Sequence, residues 1–283
     1  MVLAGATTRV SFRNVLLDWT FDPLPVAGLV VALVLYAGGV RRLRRQGRRW
    51  PTSRTAAFLA GCAVVAVALL SGVGAHEQRL FSVHVVQHLL LGMVAAVLFA
   101  LSAPVTLALQ AGSRTTQRRV LTVLHSRAVD VLTHPVTALV LFGGSLFVLY
   151  FSDLYDISLR NQAVHDLVHL HFLAAGLVFF WPVVGLDVMR NRMPHGARLL
   201  YVMVAVPFHA FLGIALLTAG NPLFTAHTLS DQRNGAGIIW AVGDLLTLVI
   251  GAIVLSQWMA YEERAASRED RRLDGDTVLT GAG

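Results

Sequence analysis

Residues 84–93 read HVVQHLLLGM. His84, Gln87 and His88 stand at the head of a run, residues 83–109, that otherwise has the apolar character of a membrane-crossing helix. Successive helical residues turn by about 100°, so His84 and His88 share one face with Gln87 beside them. Polar groups in hydrocarbon are costly and tend to face a bundle interior or a water-filled cavity. The stretch therefore predicts a membrane helix with a polar inner face at one end.

The rest of the chain agrees. Its 283 residues are 55% hydrophobic and only 14% charged. A soluble domain of this size is nearer a quarter charged and has no core large enough for so many apolar residues. Stretches long enough for a bilayer run over 24–40, 56–74, 83–109, 135–151, 164–184, 198–219 and 236–258. The third is long, and Pro104 predicts a kink in it. The expected fold is all-α, a polytopic bundle of about seven transmembrane helices. It divides into an N-terminal tail (1–21), a membrane domain (22–259) and a solvated, disordered C-terminal tail (260–283). The N-terminus lacks the basic start and apolar core of a signal peptide and is expected to be retained.

Every one of the 23 basic residues is arginine. Arg41, Arg42, Arg44, Arg45, Arg48, Arg49 and Arg54 follow the first stretch; Arg114, Arg118, Arg119 and Arg127 follow the third; Arg190, Arg192 and Arg198 follow the fifth. The alternate loops hold one each, at Arg79, Arg160 and Arg233. Arginine-rich short loops stay cytoplasmic, so the N-terminus is expected outside and the C-terminus inside. Such clusters mark topology rather than nucleic-acid binding.

On that topology His76, His84, His88, His165, His169, His171 and His227 lie at or near the outer face. His165 and His169 repeat the four-residue spacing at the head of the fifth stretch. Imidazoles one turn apart converge on a shared point, and imidazole suits copper, zinc, iron and nickel. His84, His88, His165 and His169 form the candidate ligand set. Gln87, Asp153, Asp156, Asp166 and Asp231 are candidates to orient it, since a carboxylate that accepts a ligand's spare N–H fixes its tautomer. His76, His227 and the mid-span His209 are left without a defined role. Met93 reads as packing. Cys62, the single cysteine, lies toward the other end and reads as a small apolar residue. No phosphate-binding loop, nucleophile elbow or nucleophile–base pair is present, so nothing asks for an enzyme.

The residues alone leave four readings open. These are a copper site feeding a partner, a copper transporter with His209 as an inner station, a haem-binding electron-transfer protein, and a metal-free scaffold.

Residues 81–105, FSVHVVQHLLLGMVAAVLFALSAPV, resemble the third-span signature of the CtaG family of multi-spanning assembly factors for haem–copper cytochrome c oxidase. HPVTALVLF, LYDISLRNQAVHDLVHLHFLAAGLVFFWPVV, HGARLLYVMVAVPFHAFLG and DQRNGAGIIWAVGDL are similar to the family's later blocks, in order. The likeness covers about residues 81–258. Two positions depart from it: Val168 stands where the family often has glutamate, and Tyr150 where it often has histidine. The resemblance implies a role in maturing the copper centre of a terminal oxidase. It also implies the oxidase catalytic subunit as partner and a bacterial plasma membrane as location; the histidine set is then expected to bind copper, taken as Cu(I), and pass it to that partner.

Overall fold

The computed structural model describes residues 18–184, 186–187 and 193–280. Most of the expected N-terminal tail, together with Arg190 and Arg192, lies outside the described residues. Among these residues every regular element is helical. Six helices are long and apolar enough to cross a bilayer: Pro23–Arg45, Thr52–His76, Phe81–Ala111, Gln162–Val184, His195–Thr218 and Leu229–Glu269. Counting Pro135–Tyr150 and Leu154–Arg160 as one span bent by 76° gives seven. They are numbered one to seven here in chain order.

Local chemistry sets the ends. Asp22 accepts from the Leu24 N–H and Pro23 opens span one, the pairing of cap and proline that suits a helix start. Span two breaks at Ser71, whose Oγ accepts from Val73 N–H and starts the short helix Gly72–His76. Span three is interrupted twice. Its π-helical turn, Leu90–Ala95, follows directly on the His84–His88 pair, and such bulges recur at functional sites. It then breaks at Ala103, whose φ of 49° is left-handed, before Pro104 restarts it. Proline disfavours the right-handed helical conformation at the residue before it, and the break here is the expected kink. Ala103 offers no capping side chain. Asp187, from beyond span five, takes that role by accepting from Thr106 N–H at 2.6 Å and Thr106 Oγ1 at 2.5 Å.

Span three is the centre of the bundle and span one its rim. Over the apolar window, 56% of span three is buried against 11% of span one. The main core runs through spans three to seven, while Tyr36, Trp50, Phe58 and Cys62 form a second cluster that holds span one. Spans three and five touch backbone to backbone: a Cβ on Gly176 would overlap the Gly92 carbonyl oxygen. Small residues permit such approach in membrane bundles. The crossing lies one turn beyond His88 and about two turns beyond His169, so it fixes how close the two histidine pairs come.

Two features differ from the sequence expectation. Span four ends at Tyr150, in keeping with the expected stretch 135–151, but the residues beyond it form a further helix, Leu154–Arg160, bent from it by 76°. The helix of span seven continues to Thr280, through the segment expected as a disordered tail. That segment is rich in helix formers. Trp258 Nε1 donates to Glu262, and Arg264, Arg268 and Arg271 each donate to a carbonyl one turn back.

Candidate metal centre

The start of span three is pinned by Asp231, at the start of span seven. Its carboxylate accepts from Phe81 N–H (2.6 Å), Ser82 N–H (3.3 Å) and Ser82 Oγ (2.6 Å). Phe81 itself is fully buried among Tyr150, Tyr155 and Phe224. One turn further in, the histidines meet. Ring centroids are 4.0 Å apart for His84–His88 and 4.3 Å for His165–His169 within each helix. Between helices they are 6.0 Å apart for both His84–His165 and His88–His169. Metal–imidazole bonds near 2 Å put the centroids of two coordinating rings about 5 Å apart, and the spacings here lie to either side of that value.

The residue that ties them together is Glu77, in the connection between spans two and three. It is 3% exposed. Oε2 lies 2.9 Å from His84 Nδ1 and Oε1 2.5 Å from His165 Nε2. A carboxylate that accepts from both rings places the proton on His84 Nδ1 and on His165 Nε2. The lone pairs are then left on His84 Nε2 and His165 Nδ1, and both of these nitrogens are buried without a hydrogen-bond partner. His88 follows the same pattern: Nδ1 meets the Tyr150 hydroxyl at 3.2 Å and Nε2 is buried and unpartnered. Gln87 orients the fourth ring. Its amide donates to the Ala68 carbonyl, so its oxygen accepts from His169 Nε2–H at 2.8 Å.

Buried polar atoms are nearly always paired. Three orphaned imidazole nitrogens, each on a ring whose other nitrogen is anchored, have the donor chemistry to take a metal ion. One ligand atom each from Glu77, His84 and His165 also lie within 4.8 Å of one another, so the carboxylate itself is within ligating reach, whereas His88 and His169 of the expected ligand set fall outside that group.

The other residues singled out from sequence fall elsewhere. Asp153 is exposed, and its side chain does not cap the helix it precedes. Asp156 accepts from Thr225 Oγ1 and lies 4.0 Å from Arg160. Asp166 accepts from Gln162, on a neighbouring face of its helix. None of the three bonds to a histidine of the cluster, because each points from a loop or an outer face. Asp231 acts as a helix cap and reaches only His227, at 3.8 Å. His227 bonds the Tyr155 hydroxyl at 2.8 Å, and the Tyr155 ring lies against His84 at 4.8 Å. Burial holds the His227 imidazole below its ordinary pKa, with Asp231 opposing. His76 pairs with Asp18 at the rim. His209 is buried apart, its ring edge-on to Phe142 and packed on Gly243. Met93 and Cys62 are core residues, as expected.

Sequence reasoning missed Glu77. It sits in HEQR, residues 76–79, which looks like an ordinary solvated turn. The available signal was an acid seven residues ahead of His84, in the loop that brings span three to the same face. The two departures from the family pattern also find their place. Tyr150 bonds His88, and Val168 packs in the core while Glu77 supplies the carboxylate at His165.

A family profile described as cytochrome c oxidase caa3 assembly factor (Caa3_CtaG) matches residues 34–261. Uncharacterized protein Mb0105 of Mycobacterium bovis is 38% identical over 284 residues, covering 94% of this chain and 43% of its own length. Uncharacterized protein MT0111 of Mycobacterium tuberculosis gives the same values. Uncharacterized protein ML1998 of Mycobacterium leprae is 36% identical over 274 residues, covering 90% and 42%. The chain thus spans less than half the length of these curated relatives. No solved structure matches it.

Proposed function

This chain belongs to the cytochrome c oxidase caa3 assembly factor family, and on that premise we propose that it binds copper at the Glu77–histidine cluster and delivers it to the catalytic subunit of a haem–copper oxidase. Copper is here the cargo, and the protein is a carrier rather than an enzyme. The single observation that carries this is the Glu77 bridge between His84 and His165, with a free nitrogen left on each ring.

The chemistry suits transfer. A structural metal site is closed by four protein ligands, whereas an exchangeable one keeps positions open. His84, His165 and His88 offer nitrogen donors, and Glu77 either joins them or holds two of them in register. As the ion leaves, the carboxylate still satisfies both rings. The donors are nitrogen and oxygen, which fit Cu(II) as well as Cu(I).

On this reading the cluster faces outward from a bacterial plasma membrane, with the N-terminus outside and the C-terminus in the cytoplasm, and the alternation of arginine-rich and arginine-poor loops supports it. Transport through the bundle is disfavoured by what lies below the site. Phe172 stacks on His88 at 4.3 Å, Phe142, Phe179 and Phe180 continue inward, and His209 stands apart from the cluster.

The test is copper stoichiometry on purified protein loaded with Cu(I) or Cu(II). Wild type binds one ion per chain, and His84→Ala and His165→Ala lose it. Full binding by both variants would discard the site.

A further inference from the structure

Span one leaves a groove against span two, about 410 Å³ in volume, at the arginine-rich end of the bundle. Its floor is Tyr36 stacked flat on Phe58, with ring centroids 3.9 Å apart. The floor is rigid: the Tyr36 hydroxyl donates to the Ser102 carbonyl and accepts from Trp50 Nε1. One wall is a single stripe of span one. Leu33, Ala37, Arg41 and Arg44 follow at spacings of four, four and three, so they share a face. The stripe is apolar toward mid-bilayer and basic at its end. From Leu33 to Arg41 is about 12 Å along the axis.

Arg41 and Arg44 are exposed and pair with no acid among the described residues. Arg42, Arg45 and Arg49 are exposed as well but do not line the groove, and two further arginines are engaged elsewhere. Arg54 lies over the Trp50 ring and Arg48 donates to the Gln110 carbonyl. A groove that is apolar and aromatic at membrane depth, with two guanidinium groups at its headgroup-level mouth, matches an amphiphile with an anionic head.

We propose that this groove binds one anionic phospholipid, its phosphate held by Arg41 and Arg44 and an acyl chain laid along Leu33, Ala37 and Leu59. Arginine binds phosphate bidentately, and basic residues next to a membrane span recognise anionic headgroups. Span one is otherwise the least covered helix, so the lipid would fasten it to span two.

The full chain is reconstituted in nanodiscs of equal phosphatidylglycerol and phosphatidylcholine, and retained lipid is read by native mass spectrometry. Wild type keeps one phosphatidylglycerol per chain. Arg41→Ala with Arg44→Ala lowers that at least five-fold. Ala37→Trp, which fills the tail path and leaves both charges, lowers it comparably. Arg118→Ala with Arg119→Ala, in the other arginine loop, retains it. Equal retention of the two lipids, an unchanged Arg41/Arg44 variant, or displacement of the lipid by millimolar inorganic phosphate would overturn the proposal.

Discussion

Glu77 Oε1 sits 2.5 Å from His165 Nε2, a contact between residues 88 apart in the chain. The same carboxylate reaches His84 Nδ1 at 2.9 Å. One acid thus couples the loop after span two, the head of span three and the head of span five.

Glu77→Gln keeps the shape but leaves one acceptor where two N–H groups converge. Copper affinity is expected to fall by about 10–100-fold, the usual cost of losing an orienting partner. Competition against a chelator of known affinity measures it. Affinity within two-fold of wild type would mean that Glu77 neither ligates nor orients.

Gly176→Ala drives a Cβ into the Gly92 carbonyl, whereas the same change at Gly92 meets nothing closer than 3.5 Å. Overpacking of this kind typically costs about 1–3 kcal/mol. Gly176→Ala is expected to lower thermal stability and weaken copper binding, because it pushes apart the helices that carry the two histidine pairs. Gly92→Ala is expected to do neither. A thermal melt of each variant with and without copper separates the outcomes.

Asp231→Ala removes three hydrogen bonds from the head of span three. A lost cap costs about 0.5–2 kcal/mol. The melting temperature should drop while copper stoichiometry stays at one, since Asp231 bonds none of the four clustered histidines. Loss of copper at full stability would instead place Asp231 at the metal.

His227, outside the spans, has its pKa lowered by burial. The unfolded histidine, with a pKa near 6.5, then binds more protons than the folded one. The stabilising contribution of neutral His227 is full above about pH 6.5 and is lost as the pH falls through that value toward the lower folded pKa. Acidification from pH 7 to pH 5 should therefore destabilise wild type more than His227→Gln. Parallel melting curves across that range would contradict this.

Much of this was legible in the sequence because it follows from period and length. Runs of apolar residues gave the spans, and the four-residue spacing put His84 with His88 and His165 with His169. Which loop acid would turn inward was not legible. Asp153, Asp156 and Asp166 look as plausible as Glu77 on composition, and only the packing of spans three and five selects among them. The role of Asp231 was hidden for the same reason, since a cap supplied 150 residues away leaves no local pattern. The helix of span seven runs on past Trp258 to Thr280, where the charge content of the sequence points to a solvated tail and the helix propensity of the same residues does not.

The most direct test is X-ray absorption on the copper-loaded chain. A nitrogen/oxygen shell near 2 Å with at least two imidazoles and no sulfur is expected, and one imidazole fewer in His165→Ala. A sulfur shell, or a spectrum unchanged when both His84 and His165 are replaced, would contradict it.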